Sequence, residues 1–241
     1  MTTHRVDMST VLAVGVSVIA LAFTSACSKE SPNDPKAVQA STQKSDEPSQ
    51  KLPAGPATGL LLTREDFPAG NGTFSVADKA KLDKDKAEKS KPQTVIPPGC
   101  YEFISESDGD YDRARAKYDS DTVMAESSVG LGVKQSFDDL QKRAKECASV
   151  QMAGDGVEMK ANVTVADLPG ASVEAKLVKI DGTLGPEGDQ ITVVSHFAVA
   201  HPRGTTVRVE VDQFMNPWTA SDDALVLDLL NKQIAKVQKA P

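Results

Sequence analysis

The sequence predicts an α+β fold: an antiparallel β-sheet packed by helices as a two-layer sandwich, behind a removable leader and a disordered tether. Three observations predict it. Long stretches of the second half alternate apolar and polar residues at period two, as half-buried strands do. Two segments switch to helical spacing. Short turn signals separate successive strands, which favours an antiparallel meander over parallel crossovers.

The alternation runs in order. Val157, Met159, Ala161, Val163 and Val165 share one face, and Leu168-Pro169-Gly170 breaks the run. A second strand spans about Ala171 to Ile180 and ends at Asp181-Gly182. Ile191, Val193, Ser195, Phe197 and Val199 form the inward set of a third. Val207, Val209 and Val211 form that of a fourth, with Arg208, Glu210 and Asp212 facing out and His201-Pro202-Arg203-Gly204 as the intervening turn. Earlier in the chain, Cys100-Tyr101-Glu102-Phe103-Ile104 and Thr122 to Val133 read as strands.

The helical segments carry their own signals. Phe137, Leu140, Ala144, Cys147 and Ala148 fall on one face, with Ser136 and Asp139 placed to cap the start. At the end of the chain Ser221 reads as N-cap, Asp222 and Asp223 occupy the first turn where the helix dipole favours acids, and Leu225, Val226, Leu229, Ile234 and Val237 are apolar. A capping-box spacing at Thr63 and Asp66 marks a short helix ending before Phe67-Pro68.

The first 59 residues have a different character. An uncharged apolar run from Val11 to Phe23 is too short for a convincing membrane span and leads into Thr24-Ser25-Ala26-Cys27. Small residues beside a cut and a thiol just after it resemble a bacterial lipobox, although Thr24 stands where a bulky aliphatic is usual. Residues 1 to 26 are therefore expected to be a signal peptide, and Cys27 the lipid-bearing (palmitate) amino terminus. This places the protein on the extracytoplasmic face of the cell membrane. From Ser28 to Gly59 there is no aromatic residue, and Val38 and Leu52 are the sizeable aliphatics, so residues 27 to 59 read as a disordered linker and 60 to 241 as one domain.

Charge and cysteines narrow the partners. The net charge of -7 argues against nucleic acid. With Cys27 lipidated, Cys100 and Cys147 remain as a pair in an oxidising compartment, where a disulfide is the default. Buried free thiols, or half of a metal site, are the competing readings. The lysine-rich run from Lys79 to Lys91 offers contact with an anionic surface, against the plainer reading of a solvated loop or exposed helix face.

Catalytic signatures are sparse. His196 and His201 are the histidines beyond the leader, no G-x-S-x-G elbow occurs, and a strand sends Ser195 and His196 to opposite faces. Asp108, Asp110, Asp112 and Asp119 have calcium-loop spacing, but Arg113 replaces the required glycine. No cofactor, metal or catalytic residue is assigned. Trp218, Phe214, His196 and Tyr101 are the ligand-contact candidates, with Tyr111 and Tyr118 as further contributors.

Leu60-Leu61-Leu62-Thr63, Cys100 with Cys147, and the ending Ala224-Leu225-Val226 with Ile234-Ala235-Lys236-Val237 give the chain a resemblance. It is similar to uncharacterised actinobacterial, particularly mycobacterial, envelope lipoproteins, and resembles the extracellular sensor domain of PknH-type serine/threonine kinases. That resemblance implies a small sandwich with a cleft between sheet and helix, suited to a ligand or a partner protein without supplying the ligand; a small hydrophobic ligand or an envelope protein is the partner expected. The function expected is a non-enzymatic binding or sensor-like domain. A structural or accessory lipoprotein docking on a membrane complex is the alternative, and an envelope hydrolase is less favoured.

The cysteine pairing has a direct check. Thiol titration of the unfolded, unreduced domain should find no free thiol at Cys100 or Cys147, and two reactive thiols there would remove the bridge.

Overall fold

A computed structural model describes residues 51–88, 92–104, 111–154, 156–186, 189–214 and 217–241, with Phe214 described for its backbone alone. The leader, Cys27 and the linker as far as residue 50 lie outside the described residues. The strands are β1 (Thr73–Ala77), β2 (Thr94–Ile96), β3 (Arg113–Asp119), β4 (Met124–Gly130), β5 (Ser149–Gly154), β6 (Val157–Asp167), β7 (Ala175–Gly185), β8 (Ile191–Ala200) and β9 (Thr206–Phe214). Among the described residues they form one antiparallel sheet in the order β1-β3-β4-β9-β8-β7-β6-β5-β2. The helices are α1 (Lys79–Glu88), α2 (Cys100–Ile104), α3 (Phe137–Glu146) and α4 (Ala220–Lys239). The expected α+β sandwich-like fold is present, with β5 to β9 as its meander.

Helices cover both faces of the sheet, offset from one another. On one face Val226, Leu229, Leu230, Ile234 and Val237 of α4, joined by Leu60, Leu61, Leu62 and Phe67, pack on Ala116, Val129, Leu177, Ala198 and Val209. On the other, Phe103 of α2 with Leu140 and Ala144 of α3 pack on Val150, Val163, Val178, Ile180 and Phe197. Strands β7 and β8 lie beneath both layers. Val194, His196, Ala198 and Ala200 are therefore buried as thoroughly as Val193, Phe197 and Val199. Alternation shows one apolar face of a strand and hides the other when that face is filled by alanine and a polar ring.

The Cys100–Cys147 disulfide joins α2 to the end of α3, with Cα atoms 5.6 Å apart. It closes a loop of 47 residues, for which chain entropy gives about 4 kcal/mol of stabilisation. The segment carrying Cys100 is helical, where a strand was expected. Cys100 and Phe103 are three apart, so one turn of helix sends both into the core beside α3. Its start follows Pro97-Pro98-Gly99, and the Cys100 N–H bonds to the Pro97 carbonyl.

Other boundaries shift for identifiable reasons. The turn expected at Asp181-Gly182 is absent, because Gly182 sits inside the sheet between Ala161 and Val193. A Cβ there would lie 2.2 Å from the Lys160 carbonyl oxygen, so the glycine serves a close strand approach. Thr219, not Ser221, caps α4: the Asp222 carboxylate accepts from the Thr219 N–H and hydroxyl. The calcium-loop spacing is overridden by β3, whose extended backbone from Arg113 to Asp119 cannot wrap a cation. Asp112 instead accepts from the Ala57 N–H at 2.8 Å, while Asp108 and Asp110 lie outside the described residues.

Order also begins before Leu60. Ala57 is fully buried, the Ala54 N–H bonds to the Pro241 carbonyl, and the Arg203 guanidinium donates to the carbonyls of Lys51 and Ala240. This stretch is held by backbone hydrogen bonds, which an argument from side-chain apolarity does not see. Lys79 to Glu88 of the lysine run form α1, where Lys79, Lys81 and Lys84 pair with Asp83, Asp85 and Glu88 one turn on, while Lys89 and Lys91 lie outside the described residues. Three of the four lysines of α1 thus have an acidic partner within the helix.

Gln233 is fully buried in α4 among apolar neighbours. Its Oε1 accepts from the Leu62 N–H and the Ser127 hydroxyl, and its Nε2 donates to the Leu60 carbonyl. Replacing Gln233→Leu strands those three groups without water, so a loss of roughly 2 kcal/mol or more is expected in urea unfolding. A loss below about 0.5 kcal/mol would show that the entry segment is held by its leucines alone.

Candidate functional site

Two of the four ligand-contact candidates meet. His196, on the α4 side of β8, stacks against Trp218 with ring centroids 3.7 Å apart. Trp218 lies in the link between β9 and α4, immediately before the cap at Thr219. The first turn of α4 is fixed by the Thr219–Asp222 contacts and by Gln213 Nε2, which donates to Asp222 Oδ1 at 2.9 Å. Asp223 follows in that turn. Its Oδ1 accepts from Trp218 Nε1 at 3.0 Å and lies 3.3 Å from His196 Nδ1.

Strand β7 completes the cluster. Lys179, opposite His196 in the β7–β8 register, places Nζ 3.7 Å from Asp223 Oδ1. Asp181 Oδ1 is 3.6 Å from His196 Nε2, beyond hydrogen-bonding distance. The imidazole is almost entirely buried, and among the described residues Nε2 has no hydrogen-bond partner. Burial, more than any other cause, holds the His196 pKa below the ordinary histidine value, with the Lys179 charge assisting and the Asp223 hydrogen bond opposing. The ring is therefore neutral near pH 7. A neutral ring has one N–H to give, and Asp223 is the nearer acceptor.

The other candidates lie elsewhere. Tyr101 belongs to α2 on the opposite face of the sheet, and its phenol is pushed up by burial. Phe214 pairs with Val193 in the β8–β9 register, and its side chain lies outside the described atoms. Tyr111 contacts Gly130, while Tyr118 is buried beside Phe67. His201 stacks on Phe137 at 4.7 Å, far along β8 from His196.

No protein-family model and no curated sequence matches the chain. A crystal structure of an uncharacterised protein from Mycobacterium smegmatis, described as an Rv0999 ortholog, is similar at 15% sequence identity with a TM-score of 0.38. That similarity covers 68% of this chain and 89% of the other.

The chemistry of the cluster is that of an oriented, neutral histidine. A nucleophile triad would add a hydroxyl to the His196–Asp223 pair. Among the described residues no hydroxyl is hydrogen-bonded to His196, and Ser195 lies across the sheet, its Oγ donating to Glu210 Oε1 at 3.0 Å. Among the described residues no group of three or more histidine, cysteine or acidic side chains is placed to hold a metal ion.

Ser195, expected on the inward face of its strand, belongs to a second polar group with Arg208, Glu210 and Asp212, which were expected to face out. Arg208, Glu210 and Asp212 do face away from α4, yet Asp212 is buried and Arg208 stacks on Phe197 at 3.6 Å from the ring centroid. Glu126 stands opposite Glu210 across β4–β9 and pairs with Arg115 at 3.2 Å. Burial first, then the Glu210 and Glu126 charges, hold the Asp212 carboxyl well above the usual carboxylate range, against Ser195 and Arg208. Charged residues at alternate positions of β9 were visible in the sequence. The cross-strand register that crowds them was not.

A raised carboxyl pKa means that the folded chain holds the Asp212 proton at pH values where the unfolded chain has lost it. The stability this represents is complete below the unfolded value of about 3.9 and is lost as pH rises towards the folded one. Asp212→Asn should therefore gain on the parent from about pH 4 upward, by up to about 1.4 kcal/mol per pH unit. Urea midpoints from pH 4 to 7 test this, and a constant difference across that range would contradict it.

Proposed function

We propose that this chain is a lipid-anchored, non-enzymatic binding or sensor-like domain of the bacterial cell envelope, held at the outer face of the cell membrane through Cys27. The lipobox-like Thr24-Ser25-Ala26-Cys27 and the polar linker support the anchor. One structural observation supports a presented binding end: the chain enters the fold at one pole of α4, and the His196–Trp218 cluster sits at the other.

At the entry pole Lys51 and Ala54 lie against Ala240 and Pro241, at the end of α4. A shallow depression of about 320 Å³, bordered by Pro56, Leu60, Lys236 and Pro241, opens there. The 20 residues of α4 separate that pole from Trp218, a span of about 30 Å at 1.5 Å per residue. A tether attached at one end leaves the other free to meet a partner away from the bilayer. Lys179, Asp181 and Asp223 suit a polar ligand with an apolar face better than the wholly hydrophobic ligand expected at first.

A docking role is the second reading, and it has its own observation. Val76 on edge strand β1 and Ile96 on edge strand β2 are about half exposed, which offers apolar contact at the sheet margins.

Trp218 is the chain's only tryptophan, so its fluorescence reports on the distal pole. The full-length protein in vesicles with brominated acyl chains should partition with lipid and show unquenched Trp218 emission. Cys27→Ala should leave the protein in the aqueous phase with its circular dichroism unchanged. Strong quenching of Trp218, or membrane retention of the Cys27→Ala protein after cleavage, would overturn this arrangement. Turnover of an envelope substrate that Asp223→Asn abolishes would overturn the non-enzymatic reading.

A further inference from the structure

The two nitrogens of the His196 ring meet different surroundings. Nδ1 lies 3.3 Å from Asp223 Oδ1, within hydrogen-bonding reach, so the one proton of the neutral ring belongs there. Nε2 is left with a lone pair, and among the described residues this buried atom has no hydrogen-bond partner. Opposite it, 3.6 Å away, stands Asp181 Oδ1. The Asp181 side chain is 55% exposed and has no other ionic partner among the described residues. Two acceptors therefore face each other, one dry and one wet, and a buried acceptor without a donor requires an explanation.

The width of the gap discriminates between the groups that could fill it. A proton on Nε2 would draw the carboxylate to about 2.7–2.9 Å, the length of a charge-assisted hydrogen bond. A water molecule or an ammonium group donating to both atoms from about 2.9 Å, along tetrahedral directions, would hold them about 4.5–4.7 Å apart. A zinc-type ion sits about 2.0–2.1 Å from a histidine nitrogen or a carboxylate oxygen, which places its ligand atoms about 3.4–3.6 Å apart at angles of about 110–120°. The spacing of Nε2 and Asp181 Oδ1 is that of two ligands to one metal ion.

The surroundings agree with this geometry. A ligating imidazole commonly gives its other N–H to a carboxylate, which fixes the tautomer and the aim of the ring. Asp223 takes that role, and its Oδ1 is itself held by Trp218 Nε1 at 3.0 Å and by Lys179 Nζ at 3.7 Å. The backbone of His196 pairs on both sides, with Lys179 of β7 and Val211 of β9, so the direction of Nε2 is set by the sheet. Asp181 is one row along, paired through Val194 with Gln213, whose buried Oε1 is a second acceptor without a partner among the described residues. Around the neutral ring the carboxylates of Asp181, Asp222 and Asp223 outnumber the Lys179 ammonium, so the local charge favours a dication.

We propose that His196 Nε2 and Asp181 Oδ1 bind a divalent metal ion of the zinc type, with Asp223 as the carboxylate that positions the imidazole. Imidazole nitrogen selects such an ion over magnesium or calcium, which take oxygen ligands. Two side chains are fewer than the three or four that hold a catalytic or structural zinc, so this ion exchanges with solvent. Its remaining positions are open to water or to the oxygen atoms of an anionic ligand at the distal pole. The site depends neither on the anchor at Cys27 nor on a ligand being bound.

The test uses the full chain in detergent, without an affinity tag, titrated with Zn²⁺ by calorimetry and with Co²⁺ by fluorescence. One Zn²⁺ per chain is expected. Co²⁺ should quench Trp218, whose ring lies 3.7 Å from the imidazole, and added Zn²⁺ should restore the emission. Asp223→Asn should weaken Zn²⁺ by about 10- to 100-fold. Asp181→Ala should weaken it at least as much and remove the Co²⁺ quenching, with circular dichroism unchanged because this side chain is largely exposed. His196→Gln should abolish both signals and His201→Gln should keep them. No saturable Zn²⁺ binding, affinity or quenching indifferent to Asp181→Ala, or displacement of Zn²⁺ by equal Mg²⁺ would each overturn the site.

Discussion

The hydrogen bonds of Gln233 are the constraint around which the rest of the α4 layer is arranged. A fully buried amide in an aliphatic helix is costly unless each of its polar atoms is answered. Here Leu60, Leu62 and Ser127 answer them, from the entry segment and from β4. One side chain thus sets the position of α4 along the sheet and the height at which the Leu60–Leu62 strap crosses it. Apolar packing alone would tolerate a slide of either. With α4 fixed along its length, its N-terminal turn is fixed as well, and Asp223 is brought over β8 where His196 and Trp218 meet it.

The sheet carries that arrangement because its middle is buried twice. Valine and isoleucine of β7 and β8 face α2 and α3, while smaller residues such as Ala198 and Ala200 lie under α4. Small side chains let the long helix sit close, and the larger ones fill the space below the short, disulfide-linked pair. Strands β1 and β2, at the margins, are short and carry the exposed Val76 and Ile96. Packing is thus densest where β7, β8 and β9 hold the histidine and lightest at the edges.

Much of this was legible in the sequence, and the limits have physical causes. Strands β6, β8 and β9 and helices α3 and α4 carry long patterns with one periodicity, so their faces could be read directly. The Thr63–Asp66 capping spacing held for the same reason, since both partners are local. Strand β3 was hidden because two of its three inward residues, Ala114 and Ala116, are small and its outward ones are charged. Helix α2 was hidden because five residues do not fill two turns and Cys100 and Phe103 fit either period. The meeting of His196 with Trp218 needed β8 and α4 placed in space. Their selection as polar and aromatic singletons was local, and their adjacency was not.

The same strand shows how a sheet can keep two polar environments apart. Ser195 and His196 are consecutive, and the period of two sends one towards Asp212 and Glu210 and the other beneath Trp218. Each environment is anchored by a buried titratable group, and the two are displaced in opposite senses by the same cause. Burial makes the Asp212 carboxyl hold its proton to higher pH than an exposed carboxyl does and makes the His196 ring resist a second one, so the fold favours the neutral form of both. The cost of charging therefore falls on opposite faces of the sheet in opposite senses: Asp212, on the face braced by Arg208 on Phe197 and by α3, costs stability as pH rises, and His196, beneath α4, as pH falls.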